Sequence, residues 1–99
     1  MAKYELTNKA VEDLTDIWKY TIDKWSEQQA DRYFNILISS CQEIANNPEL
    51  GKNYDGITNE LYGLKTERHI IFYRKRINKP LEITRILHER MDLKRRIEE

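Results

Sequence analysis

A chain of 99 residues with 17 basic and 17 acidic side chains has room for one core and none for a second catalytic or regulatory domain, so a single domain over 1–99 is expected. Its three glycines argue against a phosphate-cradling loop, and its one cysteine, Cys41, excludes an internal disulfide and a thiolate zinc site. The first residues hold no apolar stretch and no run approaches bilayer length, so neither a secretory leader nor a membrane span is expected, and the lone thiol fits a reducing cytoplasm.

Residues 3–6, Lys-Tyr-Glu-Leu, alternate and predict a short first strand, after which Thr7 is placed to cap a helix. Apolar residues then recur at Ala10, Val11, Leu14, Ile17, Trp18, Ile22 and Trp25, a helical stripe. Glu12, Asp13, Asp16, Lys19, Asp23 and Lys24 form its wet face. Ser26-Glu27-Gln28-Gln29 is a capping box. It opens a second stripe through Ala30, Tyr33, Phe34, Leu37, Ile38, Cys41, Ile44 and Ala45, which Asn46-Asn47-Pro48 ends. Two stripes with almost no linker predict an antiparallel helical hairpin. At this spacing Trp18, Trp25, Tyr33, Phe34 and the Cys41 thiol are read as core.

Residues 46–60 are poor in apolar groups and read as a loop, long for so small a chain. Three strand-like runs follow: 61–66, 68–76 and 81–87. Ile70 and Phe72 alternate with Ile71 and Tyr73; Leu81, Ile83 and Leu87 share one face, with Ile86 on the other. Strands apolar on both faces are covered twice. The hairpin can cover one side. Only the tail from Asp92 to Glu99 remains for the other, so that face is expected to be partly apolar, partly basic and open to a partner. The fold class is α+β: an N-terminal strand, a helical hairpin on a small, mainly antiparallel sheet, and a short C-terminal helix.

Charge is polarised along the chain. Residues 1–64 carry 6 basic and 11 acidic groups, and residues 65–99 carry 11 and 6. The basic third is therefore a candidate surface for an acidic partner or a nucleic acid. The two histidines, His69 and His88, lie on different strands and face each other in only one register. Neither has the neighbours of a metal set.

The order hydrophobic-Phe72-Tyr73-Arg74, a turn, then Arg85-Ile86-Leu87-His88-x-Arg90-Met91-Asp92 resembles the ParE branch of the RelE/ParE toxin superfamily. The helix pattern Leu6-Thr7-x-x-Ala10-x-x-Asp13-Leu14-x-x-Ile17 resembles it too, and the likeness runs from Leu6 to Ile97. It implies the toxin of a type II toxin–antitoxin pair that poisons DNA gyrase and is neutralised by a ParD-like antitoxin. It implies no cofactor and no catalytic residue, and meets nucleic acid only through gyrase or the antitoxin, whose DNA-binding half carries operon repression.

Under that reading Arg68, Arg74, Arg85, Arg90, Lys94, Arg95 and Arg96 are the target-binding candidates, since guanidinium pairs bidentately with carboxylate or phosphate. Tyr33, Ile71 and Tyr73 are candidates for binding an acidic–apolar antitoxin segment along the hairpin and open sheet. The alternative is the RelE branch, which cuts mRNA on the ribosome. That reaction needs a base, an acid and a cation for the phosphate charge, roles that His88 with Glu89 and Arg68, Arg74 or Arg85 could fill. Against it, His88 is followed by 11 residues, whereas RelE-type toxins place their acid/base residue almost at the chain end. A plain nucleic-acid module fits the basic third but not the neutral total or the lack of a reading motif.

Overall fold

Thr7 ends the first strand and starts the first helix with one side chain. Its Oγ1 accepts from the Ala10 N–H at 3.0 Å and donates to the Thr84 carbonyl at 2.7 Å. The computed structural model describes residues 2–99; residue 1, inside the expected domain span, lies outside them. In chain order the elements are β1 (Tyr4–Leu6), α1 (Asn8–Lys24), α2 (Glu27–Asn46), β2 (Lys52–Asn53), β3 (Tyr62–Thr66), β4 (His69–Arg74), β5 (Leu81–His88) and α3 (Leu93–Glu98). Ser26 caps α2 through the Gln29 N–H at 3.1 Å. The expected hairpin is present, and the loop gains one small strand, β2.

The sheet order is β1-β5-β4-β3-β2, antiparallel except for β1 beside β5. Hydrogen bonds between β1 and the last strand thus close the sheet around chain ends far apart in sequence. The hairpin packs on one face, where Ala10, Leu14, Leu37, Cys41 and Ile44 meet Ile71, Tyr73, Leu81, Ile83 and Ile86. Burial pushes the Cys41 thiol up to about 12, so it remains a neutral core group.

Two expectations about the strands are corrected. The alternation of β5 is broken by a bulge: Phe72 pairs with Arg85 but Tyr73 with Ile83, leaving Thr84 as the extra residue. An extra residue reverses the facing of every residue beyond it in the strand. Ile86 therefore joins Leu81 and Ile83 under the helices, and Leu87 goes to the opposite face.

That opposite face is also not open. Leu61, Ile70, Phe72 and Leu87 are buried there beneath Tyr54 and Ile57 of the loop and Leu93 and Ile97 of α3. The loop can close down because Gly63 lacks a side chain: a Cβ there would sit 2.7 Å from the Tyr54 ring. That ring stands edge-on to Phe72, with centroids 5.1 Å apart. Sparse apolar content concealed this lid, since the loop contributes two side chains to it, Tyr54 and Ile57.

Candidate functional site

Two regions bring together either a concave apolar surface or residues singled out from the sequence. The first is a groove of about 470 Å³ lined by both helices of the hairpin and by Leu6 of β1. Leu6, Val11, Leu14, Trp18, Phe34 and Ile38 line it, and Asp31 is its one charged lining residue. Asp31 accepts from the Trp18 indole at 3.3 Å, which links the two helices across the groove. Val11 is 47% exposed and Phe34 38%. Trp25, at the end of α1, is 75% exposed. The assignment of Trp25 and Phe34 to the core is thus corrected. The α1 stripe holds neighbouring pairs, Ala10/Val11 and Ile17/Trp18, and is wider than one sheet contact can cover. Of that stripe, Val11 and Trp25 are left exposed.

The second region is the sheet end formed by the β3–β4 turn and the end of β5. His69 and His88 are cross-strand partners, with ring centroids 5.2 Å apart. The single register that brings them together is the one adopted. Tyr33 of α2 reaches this pair: its hydroxyl lies 2.6 Å from His69 Nδ1 and accepts from the Arg68 N–H at 3.4 Å. Which of the two atoms supplies the proton of the Tyr33–His69 bond follows the tautomer of the ring. Burial, reinforced by the neighbouring His88, brings His69 down to about 4. His88 Nδ1 accepts from the Arg90 N–H at 3.1 Å. Both imidazoles are therefore tied into the fold through Nδ1.

The predicted residues divide accordingly. Arg68 and Arg90 are exposed and adjacent, joined through the Glu89 N–H to Arg68 carbonyl bond at 2.9 Å. Lys94, Arg95 and Arg96 follow on exposed positions of α3. Arg74 lies elsewhere, with its guanidinium 2.9 Å from the Asn59 carbonyl, where it holds the loop. Arg85 is a correction. It is 7% exposed, bonded to both Asp13 carboxylate oxygens and to the Arg96 carbonyl, so it has no free face for a target or a phosphate. Ile71 and Tyr73 are corrected as well. Both are fully buried, and the Tyr73 hydroxyl is spent on the Pro48 carbonyl and the Gly51 N–H. Of the three antitoxin candidates Tyr33 alone reaches the surface, and only in part.

The profile of the family described as "ParE toxin of type II toxin-antitoxin system, parDE" matches residues 4–93. The chain belongs to the ParE toxin family. It is 32% identical over 96 residues to Toxin ParE1 of Mycobacterium tuberculosis, covering 97% of this chain and 98% of that protein. Toxin ParE1 of Caulobacter vibrioides is 32% identical over 92 residues, covering 93% and 94%. Toxin ParE of Escherichia coli is 33% identical over 97 residues, covering 98% and 94%. A chain of a chromosomal ParDE TA system from P. aeruginosa superposes with a TM-score of 0.77 at 18% identity, over 89% of this chain and 96% of that one, a likeness of fold.

Two features of this ParE-type toxin escaped sequence reasoning. The partner of Arg85 is Asp13, which looked like part of the wet face of α1. Its only signal was its place in the Ala10-x-x-Asp13-Leu14 pattern. The groove was hidden because Val11, Trp18 and Phe34 have the same spacing whether a partner or the sheet covers them.

Proposed function

We propose that this toxin acts by binding DNA gyrase rather than by cutting RNA, and that a ParD-like antitoxin neutralises it from the hairpin groove. The observation that carries the first half is the sequestration of Arg85 on Asp13. Of the three arginines named for a phosphate-cleaving site around His88, Arg85 is committed to Asp13 and Arg74 to the Asn59 carbonyl, which leaves Arg68 exposed. Of the target-binding candidates, those that stay exposed are Arg68, Arg90, Lys94, Arg95 and Arg96. Such groups suit recognition of carboxylates or phosphates on a large partner.

The antitoxin reading rests on the groove. With the second face of the sheet under its lid, the hairpin groove is an apolar surface open to a partner. An amphipathic helix laid along Val11, Trp18, Phe34 and Ile38 would bury them in the manner of helix-in-groove recognition. Asp31 at the groove favours a cation on that helix rather than an acidic segment.

The test is purified toxin against two substrates in parallel. Supercoiling by gyrase is scored with trapped DNA cleavage, and mRNA is examined on translating ribosomes. Gyrase inhibition with intact mRNA is the expected result. Codon-position cuts with normal supercoiling would replace this reading with the RelE-type one.

A further inference from the structure

The turn between β4 and β5 carries an isoleucine that the fold does not use. Ile77 is 90% exposed, the most exposed large apolar side chain among the described residues. Solvent-facing turns favour Gly, Asn, Asp and Ser, and the next residue, Asn78, does supply the left-handed conformation here, at φ 58. A β-branched apolar group beside it has no packing role.

The tip is also held rigid from below. The Arg76 guanidinium donates to the Pro80 carbonyl from Nε at 2.9 Å and from an Nη at 2.7 Å. It also pairs with Glu5 at 3.0 Å and Glu82 at 3.8 Å. Lys75 is bound to Glu49, which brings the segment carrying Leu50, 45% exposed, to the same end of the sheet. The carboxylates of this end, Glu5, Glu49 and Glu82, thus all face cations. Lys79 is exposed and makes no ion pair among the described residues.

We infer that this tip is a contact surface for a protein whose own surface presents an apolar recess with an acidic rim, and that this protein is the toxin's target. The inference rests on the reading of the chain as a toxin that acts by binding. A rigid apolar knob loses little conformational freedom on docking, which is where binding energy is otherwise dissipated. Bare nucleic acid is held mainly through several phosphate contacts, and Lys79 is the one cation of this tip without an ion pair among the described residues. A membrane would gain too little from two aliphatic side chains for stable attachment. Neither Ile77 nor Leu50 lines the hairpin groove.

The experiment compares wild type, Ile77→Asp, Lys79→Glu and the conservative Ile77→Val. Each is titrated against gyrase holoenzyme on relaxed plasmid, and each is expressed to equal levels in growing cells. Ile77→Asp should need at least about ten-fold more protein for the same inhibition, Lys79→Glu a few-fold more, and Ile77→Val close to the wild-type amount. Melting temperatures should stay together, because the altered side chains are in water. Wild-type potency in Ile77→Asp overturns the inference, as does loss of binding to anionic vesicles or bare duplex DNA in that variant alone. Should wild type arrest growth without touching gyrase, the gyrase reading fails, and growth arrest judges the tip: loss in Ile77→Asp upholds it, retention removes it. A wild type that does neither overturns both.

Discussion

Asp13 and Arg85, 72 residues apart, meet as a bidentate ion pair at 2.9 and 3.0 Å that ties the first helix to the last strand. The same carboxylate accepts the Ile86 N–H at 3.0 Å, just beyond the residues of β5 that β1 pairs. Asp13 thereby finishes an edge that the three-residue β1 leaves short. The guanidinium passes the connection on to the Arg96 carbonyl at 2.6 Å, which positions α3.

Because the pair is nearly dry, removing one partner strands the other. Asp13→Asn is expected to cost about 3–5 kcal/mol, a fall in Tm of more than about 12 °C by thermal denaturation. Replacing both partners, as Asp13→Leu with Arg85→Met, should recover part of that loss. Recovery stays incomplete because the Ile86 N–H and Arg96 carbonyl lose their bonds. If Asp13→Asn melts with wild type, the pair has no such role.

The His69 ring supplies a pH dependence. Its folded value of about 4 lies below the ordinary 6.5, so the fold requires the neutral ring. The unfolded chain binds the proton more readily. Stability from this group is complete above about pH 6.5 and is lost as pH falls toward 4, by about 1–3 kcal/mol once partial exposure is allowed for. Urea midpoints measured from pH 7 to 4 should decline. The decline should flatten in His69→Gln, which keeps a polar partner for Tyr33 without titrating. An unchanged slope in that variant would assign the acid sensitivity to other groups.

Arg90→Ala combined with Arg95→Ala removes two exposed cations from the sheet end and α3. Folding should be unaffected to within about 0.5 kcal/mol, as for ordinary surface positions. Growth arrest at equal expression should weaken several-fold. Full toxicity in the double variant would remove the basic end from the target contact.

On the hairpin, Val11→Asp and Phe34→Asp place a carboxylate in the groove beside Asp31. Each should lower affinity for a ParD-like antitoxin by about 100-fold or more, read by calorimetry, while the free toxin melts within a few degrees of wild type. Toxicity should then escape neutralisation in cells. Unaltered affinity in both variants would move the antitoxin to another surface.

Both helices, their caps and the strand runs were legible because they depend on local signals: Thr7, the Ser26 box, Pro48 and the period of the apolar residues. The facing of β5 was not, since a bulge is a property of two strands and shows no motif in either. The exposure of Trp25 and Phe34 was equally illegible, because an apolar stripe does not report how much of it has a partner within the chain. For Arg85 the residue type was visible but its destination was not. Exposed and buried arginines look alike until Asp13 is placed beside one of them.

The extra residue in β5 makes this strand sensitive to length as well as to composition. Deleting Glu82 would leave every remaining side chain chemically intact and yet make Leu81 and Ile83 consecutive, turning one of them away from the helices. Deleting Thr84 would instead smooth out the bulge, since Ile83 and Arg85 would then be consecutive like their partners Tyr73 and Phe72, at the cost of the carbonyl that Thr7 grips at the start of α1. A loss of three nucleotides at the Glu82 codon should therefore inactivate the protein more completely than the same loss at the Thr84 codon.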